Sequence, residues 1–204
     1  HQSCTGQGHI SNVSIIGTSL NNNSACSNQN APGYTYYPPA GSTTCQLSAG
    51  SSFTLSVTTA VQSQIVSAWL DFDRDSIFES GEWSQVTVSS VIGSPGTVQI
   101  NLPQNIATGP MLVRIRSRNA GNQNGPGDAC TAFASGEAED YSVTVVPDIY
   151  PRIYRFTPPK GPIGTQVLIT GKLLQNTSSV LFNQAAASFT QLNDTTLSAI
   201  VPPT

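Results

Sequence analysis

The sequence is short of charge. Lys, Arg, Asp and Glu make up 9% of its 204 residues, and the formal net charge is −3. Soluble cytosolic domains carry nearer a quarter charged residues. Ser, Thr, Asn, Gln and Gly supply the polarity instead, which suits short strands and tight turns of secreted modules. Long apolar runs are also missing: the longest span about five residues, against the ~20 a membrane helix needs. Membrane insertion is therefore not expected. A mildly acidic chain without a basic stripe excludes nucleic acid as a partner, because neutralising phosphates takes clustered Lys and Arg. No leader precedes His1, which fits either a removed leader or a trimmed start.

Catalytic motifs are missing as well. There is no Gly-x-Ser-x-Gly, no Walker loop and no dinucleotide fingerprint. Only two histidines occur, His1 and His9. A copper brace at an amino-terminal His1 needs a second histidine from far along the chain, and only His9 is available. Acid pairs can make a glycosidase, but here the acids recur at alternate positions of one loop. That pattern points at one ion and not at two groups straddling a sugar. The expectation is a protein that is not an enzyme.

No segment sustains an i, i+3, i+4, i+7 stripe, so almost no helix is expected. Period two dominates instead: Phe53, Leu55 and Val57; Val86 and Val88; Val98, Ile100 and Leu102; Val113 and Ile115 against Arg114, Arg116 and Arg118; Tyr141, Val143 and Val145. Such alternation marks half-buried strands. Short strands between Gly, Pro and Asn turns predict an all-β, antiparallel β-sandwich of jelly-roll or immunoglobulin-like type. Pro147-Asp-Ile-Tyr-Pro151 breaks the pattern. It divides the chain into 1–147 and 148–204.

The four cysteines are Cys4, Cys26, Cys45 and Cys130. None forms a C-x-x-C pair, which disfavours zinc or redox use. An even number at wide spacing predicts two disulfides and an oxidising compartment. The favoured pairing is Cys26–Cys45, closing a short Asn-, Gly- and Pro-rich excursion, with Cys4–Cys130 following by elimination. Each would stabilise by roughly 2–4 kcal/mol.

The densest chemistry lies in Asp71-Phe-Asp-Arg-Asp-Ser-Ile-Phe-Glu-Ser-Gly-Glu82. Calcium takes six to eight hard oxygens. The twelve-residue loop that supplies them uses positions 1, 3, 5, the carbonyl of 7, then 9 and 12. Counted from Asp71, these are Asp71, Asp73, Asp75, Ile77, Glu79 and Glu82. Five carboxylates in twelve residues repel one another unless neutralised, and only Arg74 lies among them. Position 6 is Ser76, where glycine normally provides positive φ, at a cost of about 1 kcal/mol. The preceding Ile65-Val-Ser-Ala-Trp-Leu70 reads as a strand, so the loop is expected to be a fixed staple and not a switch. A second acidic cluster is Glu137, Glu139 and Asp140.

Two stretches together resemble a known family. Trp69-Leu-Asp-Phe-Asp-Arg-Asp-Ser-Ile-Phe78 leads to Gly81-Glu82, and Gly136-Glu-Ala-Glu-Asp-Tyr141 follows later. These look like the GEVED domain, with Ala138 where the family usually has valine. Gly109-Pro-Met-Leu-Val-Arg-Ile-Arg116 fits the strand before the motif, so the resemblance covers about residues 4–146. It implies a β-sandwich module of bacterial secreted or cell-surface proteins, often attached to proteases, glycoside hydrolases or adhesins. It also implies that Glu137, Glu139 and Asp140 sit near the Asp-rich loop, some completing the calcium shell and others pairing with Arg114 or Arg116. Residues 151–204 resemble the start of an IPT/TIG domain, through Phe156, Pro158, Gly164-Thr165, Val167-Leu-Ile-Thr-Gly171 and Asp194-Thr-Thr-Leu-Ser-Ala-Ile-Val-Pro202. The resemblance implies a partial immunoglobulin-like sandwich, because that family runs on for about two further strands. An incomplete tail leaves an open edge and an uncovered apolar face, filled by strands of another chain unless the tail was trimmed.

The expected protein is a secreted or cell-surface accessory module with calcium as a structural cofactor. It would serve adhesion or carbohydrate binding, with Tyr34, Tyr36, Tyr37 and Trp83 as candidate sugar-stacking rings. The alternative is a subunit or spacer of an extracellular fibre, a homo-oligomer joined through the open edge of the tail.

Overall fold

The computed structural model describes residues 8–26, 33–132 and 134–203. These are all-β, with three 3₁₀ turns and no α-helix among the described residues. The chain divides into two compact units, His1–Asp148 and Ile149–Thr204.

The first unit is a sandwich of two sheets. One holds β1 (Ile10–Ile15), β2 (Asn21–Asn23), β5 (Ser52–Thr59) and β8 (Gly96–Asn101) in the order β2-β1-β5-β8. The other orders β3 (Tyr34–Tyr37), β10 (Ala138–Val146), β9 (Gly109–Asn119), β6 (Gln64–Leu70) and β7 (Trp83–Thr87) as β3-β10-β9-β6-β7, with β4 (Gln46–Ser48) also beside β10. Most pairings are antiparallel, as the short turns between strands favour. Both β3 and β4 instead run parallel to β10. The core between the sheets takes the inward residues of each alternation: Val13, Ile15, Leu55, Val57 and Ile100 from one side, and Val66, Leu70, Val113, Ile115, Tyr141, Val143 and Val145 from the other.

Strand β6 is buried on both faces. Ala68 packs inward, while Ser67 and Trp69 on the outer face are also 0% exposed. Their cover is the segment 122–128: Trp69 Nε1 donates to Pro126 O at 3.0 Å and Ser67 Oγ to Asn124 O at 2.5 Å. One wall of the molecule is therefore a loop pinned onto a sheet.

Both predicted disulfide pairings are overturned. Cys45 and Cys130 are free thiols, so Cys26 is bonded to neither of them, and Cys4 lies outside the described residues. Cys45 is 3% exposed within the apolar core, where it packs as a small hydrophobe. Burial pushes its thiol above the ordinary range. Cys130 is exposed, with its sulfur 3.2 Å from Arg114 Nη1.

The second unit has a four-stranded antiparallel sheet in the order β11 (Arg152–Thr157), β12 (Gln166–Lys172), β16 (Thr196–Ile200) and β15 (Phe189–Asn193). A small hairpin, β13 (Leu181–Phe182) with β14 (Ala185–Ala186), turns through Asn183 and Gln184, both at positive φ. Its core is small: Val167, Ile169, Leu174, Leu197 and Ala199. Strand β11 is exposed along its whole length, with Ile153 at 61% and Phe156 at 51%. These two side chains border an apolar groove of about 530 Å³ that continues to Val180 and Phe182.

Candidate metal centre

Strand β6 delivers Asp71 to the rim of the sandwich, and the chain then wraps through a loop until a 3₁₀ turn at Ser80–Glu82 starts β7. The carboxylates organise this loop through its own backbone. Asp71 Oδ2 accepts from Ser76 N at 3.3 Å, Asp73 Oδ1 from Asp75 N at 3.3 Å, and Asp75 Oδ1 from Ile77 N at 2.7 Å. Each short acid thereby turns the chain about itself. Ser76 adopts φ 69°, as position 6 of the loop requires, and Arg74 adopts φ 64°.

Two overlapping groups of acids result. One oxygen each of Asp71, Asp73 and Glu82 lie within 4.8 Å of one another, as do those of Asp73, Asp75 and Glu79. The first group is the more enclosed, with Asp71 4% and Glu82 6% exposed. Asp73, Asp75 and Glu79 are exposed, and Ile77 turns its side chain outward. Glu82 Oε1 accepts from Phe72 N and Oε2 from Glu79 N, so both ends of the loop close on one carboxylate. Burial pushes the Glu82 carboxyl up to about 7; the two backbone donors oppose this and Glu79 adds to it. Asp71 Oδ1 is buried and accepts no hydrogen bond. A buried carboxylate oxygen without a donor costs on the order of 1–3 kcal/mol. An oxygen-loving divalent cation among Asp71, Asp73 and Glu82 would remove that cost, and the all-oxygen donor set fits calcium.

Arg74 does not neutralise the cluster. Its guanidinium reaches away to the carbonyls of Ala107, Thr108 and Gly109, anchoring the loop to the start of β9.

Strand periodicity splits the second acidic cluster. Glu137 and Glu139 point into the sandwich and are 0% exposed; Asp140 points to the outer face. Glu137 Oε2 accepts from Ile10 N at 2.9 Å. Glu139 accepts from Tyr141 Oη at 2.6 Å and from Tyr37 Oη at 3.5 Å. Burial pushes Glu139 up to about 7, with Glu137 adding to the shift. Asp140 holds Arg114 through two bonds, Nε–Oδ1 at 2.7 Å and Nη2–Oδ2 at 2.6 Å. None of the three joins the Asp71, Asp73 and Glu82 group. The link between the two clusters is instead an arginine: Arg114 lies 5.1 Å from the Phe78 ring centroid of the acidic loop and 5.9 Å from that of Tyr34. Arg116, next along the face, is lowered to about 10 by burial and by Arg114.

The candidate sugar-stacking rings separate in the same way. Tyr37 stacks on Tyr141, with centroids 5.1 Å apart, and packs half-buried against the core. Tyr34 donates to Asp140 at 2.9 Å. Tyr36 is 47% exposed. Trp83 lines an open cleft, which the sequence pattern alone gave no means to place.

These features define an all-β, two-unit chain whose first unit is a sandwich with an acid-walled loop at its rim. Residues 65–144 match the GEVED domain and residues 151–204 match the IPT/TIG domain, so the chain carries a GEVED domain followed by an IPT/TIG domain. The first match starts later than the resemblance over residues 4–146 read from the sequence. It contains both the acidic loop and the Gly136–Asp140 motif. No curated protein matches the chain. Among the described residues no helix is long and apolar enough to cross a membrane.

Proposed function

We propose that this is a non-catalytic, secreted or cell-surface accessory module in which the Asp71–Glu82 loop holds a structural calcium ion, and that the module serves adhesion or carbohydrate binding. The observation that carries the metal reading is Asp71 Oδ1, a buried carboxylate oxygen with no donor, set against Asp73 and Glu82. Glu82 closes the loop on the strand that follows it, so a cation there stabilises a fixed turn between β6 and β7. Millimolar extracellular calcium suits such a site, including one whose affinity is weakened by Ser76. The test is thermal unfolding in calcium and in chelator. Calcium at ~100 times its dissociation constant adds about 2.7 kcal/mol, or roughly 8 °C for a unit of this size. Identical melting temperatures in the two buffers would end the structural-calcium reading.

A second reading has its own observation. Strand β11 is a sheet edge with exposed Ile153 and Phe156 beside an apolar groove. An edge of this kind accepts an added strand, which supports a fibre subunit or spacer assembling through the second unit. Sedimentation velocity of the full-length protein is the test, and monomers at every concentration would count against it.

A further inference from the structure

On the outer face of the second sheet, a cleft of about 460 Å³ opens between the edge strand β7 and the segment 123–128. Trp83 and Gln85 form its strand side, and Gln123, Gly125, Gly127 and Asp128 its loop side. We propose that this cleft binds a neutral saccharide, with the indole of Trp83 stacking on a pyranose ring and Gln85, Gln123 and Asp128 bonding its hydroxyls. The proposal rests on the carbohydrate arm of the function above and gives it a location.

The two tryptophans show why the cleft is more than packing. Trp69 and Trp83 are register partners across β6 and β7, and both donate to the same loop: Trp69 Nε1 to Pro126 O at 3.0 Å, Trp83 Nε1 to Asn124 O at 3.3 Å. Trp69 is 0% exposed and belongs to the interior. Trp83 makes the same kind of anchor yet is only half-buried and lines the opening. An indole fixed through its N–H at the side of a cleft offers an apolar surface already in position.

The opposite wall is equally fixed. Asn124 is 1% exposed, its carbonyl accepts from Ser67 and Trp83, and its Nδ2 donates to Arg116 O at 3.0 Å. Arg118 Nη1 holds Gln123 O at 2.5 Å, and Arg116 Nη1 holds Asp128 O. Asp128 Oδ2 caps Gly125 N at 2.8 Å. Prior rigidity lowers the ordering cost of binding a weakly held ligand.

The polar groups choose the ligand class. Gln85 Nε2 is committed to Val66 O, Ser67 Oγ and Thr87 O, which leaves Oε1 as its acceptor. Asp128 adds a carboxylate, and no Lys or Arg side chain lines the cleft. An anion would meet the Asp128 carboxylate with no cationic donor in the lining to hold it, and a purely apolar ligand would leave these acceptors unpaired. Hydroxyl groups both donate and accept, so a polyol with one apolar C–H face satisfies the acceptors and the indole together.

Isothermal titration with cello-, xylo-, manno-, chito- and laminari-hexaose, in calcium buffer, tests the proposal. At least one is expected to bind in the millimolar range or tighter. Trp83→Ala should weaken that binding about tenfold or more, Trp83→Phe should retain most of it, and Ile16→Ala, at an exposed side chain outside the cleft, should leave it unchanged. Should Trp83→Ala fail to fold, Gln123→Ala serves in its place: that side chain is exposed on the rim, and its loss is expected to weaken binding severalfold. No binding to any of the five, or binding equally reduced by Ile16→Ala, or unaffected by both Trp83→Ala and Gln123→Ala, would overturn it. The melting experiment in chelator is independent: a calcium shift without saccharide binding sinks only the saccharide site, and saccharide binding without a calcium shift sinks only the metal.

Discussion

Arg114 stands directly opposite Asp140 across the β9–β10 pair, and the two meet through a forked pair of bonds, 2.6 and 2.7 Å long. The Asp140 side chain is 4% exposed and that of Arg114 17%. The arginine also donates to Ala129 O and lies against Tyr34 and Phe78. The bond to Asp140 raises its pKa above the ordinary range, so it stays charged at any pH the fold survives. A buried pair is costly to break singly, because the survivor keeps its desolvation cost without its partner. Arg114→Ala is expected to destabilise by about 3–5 kcal/mol, and Arg114→Leu with Asp140→Leu by much less than the sum of the two singles. Urea denaturation of the wild type, Arg114→Ala, the two leucine singles and the double variant is the measurement. A loss for Arg114→Ala of under about 0.5 kcal/mol would show the fork to be decoration.

Glu139 gives a pH signature. Its carboxyl is pushed from 4.5 to about 7 by burial, in a pocket shared with Glu137, Tyr37, Tyr141 and Asn22. A carboxyl raised in the folded state holds its proton more tightly there than in the unfolded chain. Its stabilising contribution is therefore full below about 4.5 and is lost as pH rises to 7 and above, amounting to about 3 kcal/mol. Urea midpoints of the wild type, in calcium, are expected to fall between pH 5 and pH 8 by more than those of Glu139→Gln. Parallel pH profiles for the two would refute the assignment.

Gly136 lies in the bend just before β10, at φ 83°, and a Cβ there would lie 2.0 Å from Ser117 O. Neither the dihedral nor the space suits any other residue. Ser117 is itself 0% exposed and bonds Glu137 and Gly8, so it has no room to withdraw. Gly136→Ala is expected to cost on the order of 3 kcal/mol or more and to lower soluble yield. A melting temperature within a degree or two of wild type would contradict the geometry.

Much of this was legible from residue patterns. Period-two alternation located β5, β8, β9 and β10, because each has one face on the core. Residues 65–70 read as a strand and lie within β6, but without that alternation, since segment 122–128 buries the strand's second face as well. The acidic loop was legible by spacing, down to the positive φ of Ser76. The motif acids were not sorted, although alternation does sort them: Glu137 and Glu139 fall on the inner face, Asp140 on the outer. Two features had no local signal. The parallel pairing of β3 and β4 with β10 joins segments about a hundred residues apart, and the cleft at Trp83 depends on a loop brought back over the sheet.

The cysteine pairing failed for a related reason. Wide spacing makes Cys45 look bridged, yet its place on the core side is an apolar one. With Cys45 and Cys130 free, Cys4 and Cys26 are the pair left for a bridge. Non-reducing peptide mapping after alkylation in denaturant is expected to recover Cys45 and Cys130 alkylated and Cys4 joined to Cys26. A Cys26–Cys45 peptide in the digest would reverse this assignment.

The metal loop permits a sharper test than chelation, because two substitutions there move stability in opposite senses. Asp71 Oδ1 is buried without a donor beside two other acids, so it strains the metal-free protein and benefits the loaded one. Asp71→Asn removes a charge from that crowd. In chelator the variant is expected to be at least as stable as wild type, whereas in calcium it should lack most of the ~2.7 kcal/mol that saturation adds. The Ser76 backbone sits at φ 69°, which glycine adopts without a Cβ penalty. Ser76→Gly should therefore raise stability by up to about 1 kcal/mol with or without calcium, and bind calcium no more weakly than wild type. Melting curves of the three proteins, each with calcium and with chelator, separate the effects. If Asp71→Asn lost as much stability in chelator as in calcium, the aspartate would be a structural hydrogen-bond acceptor and not a ligand.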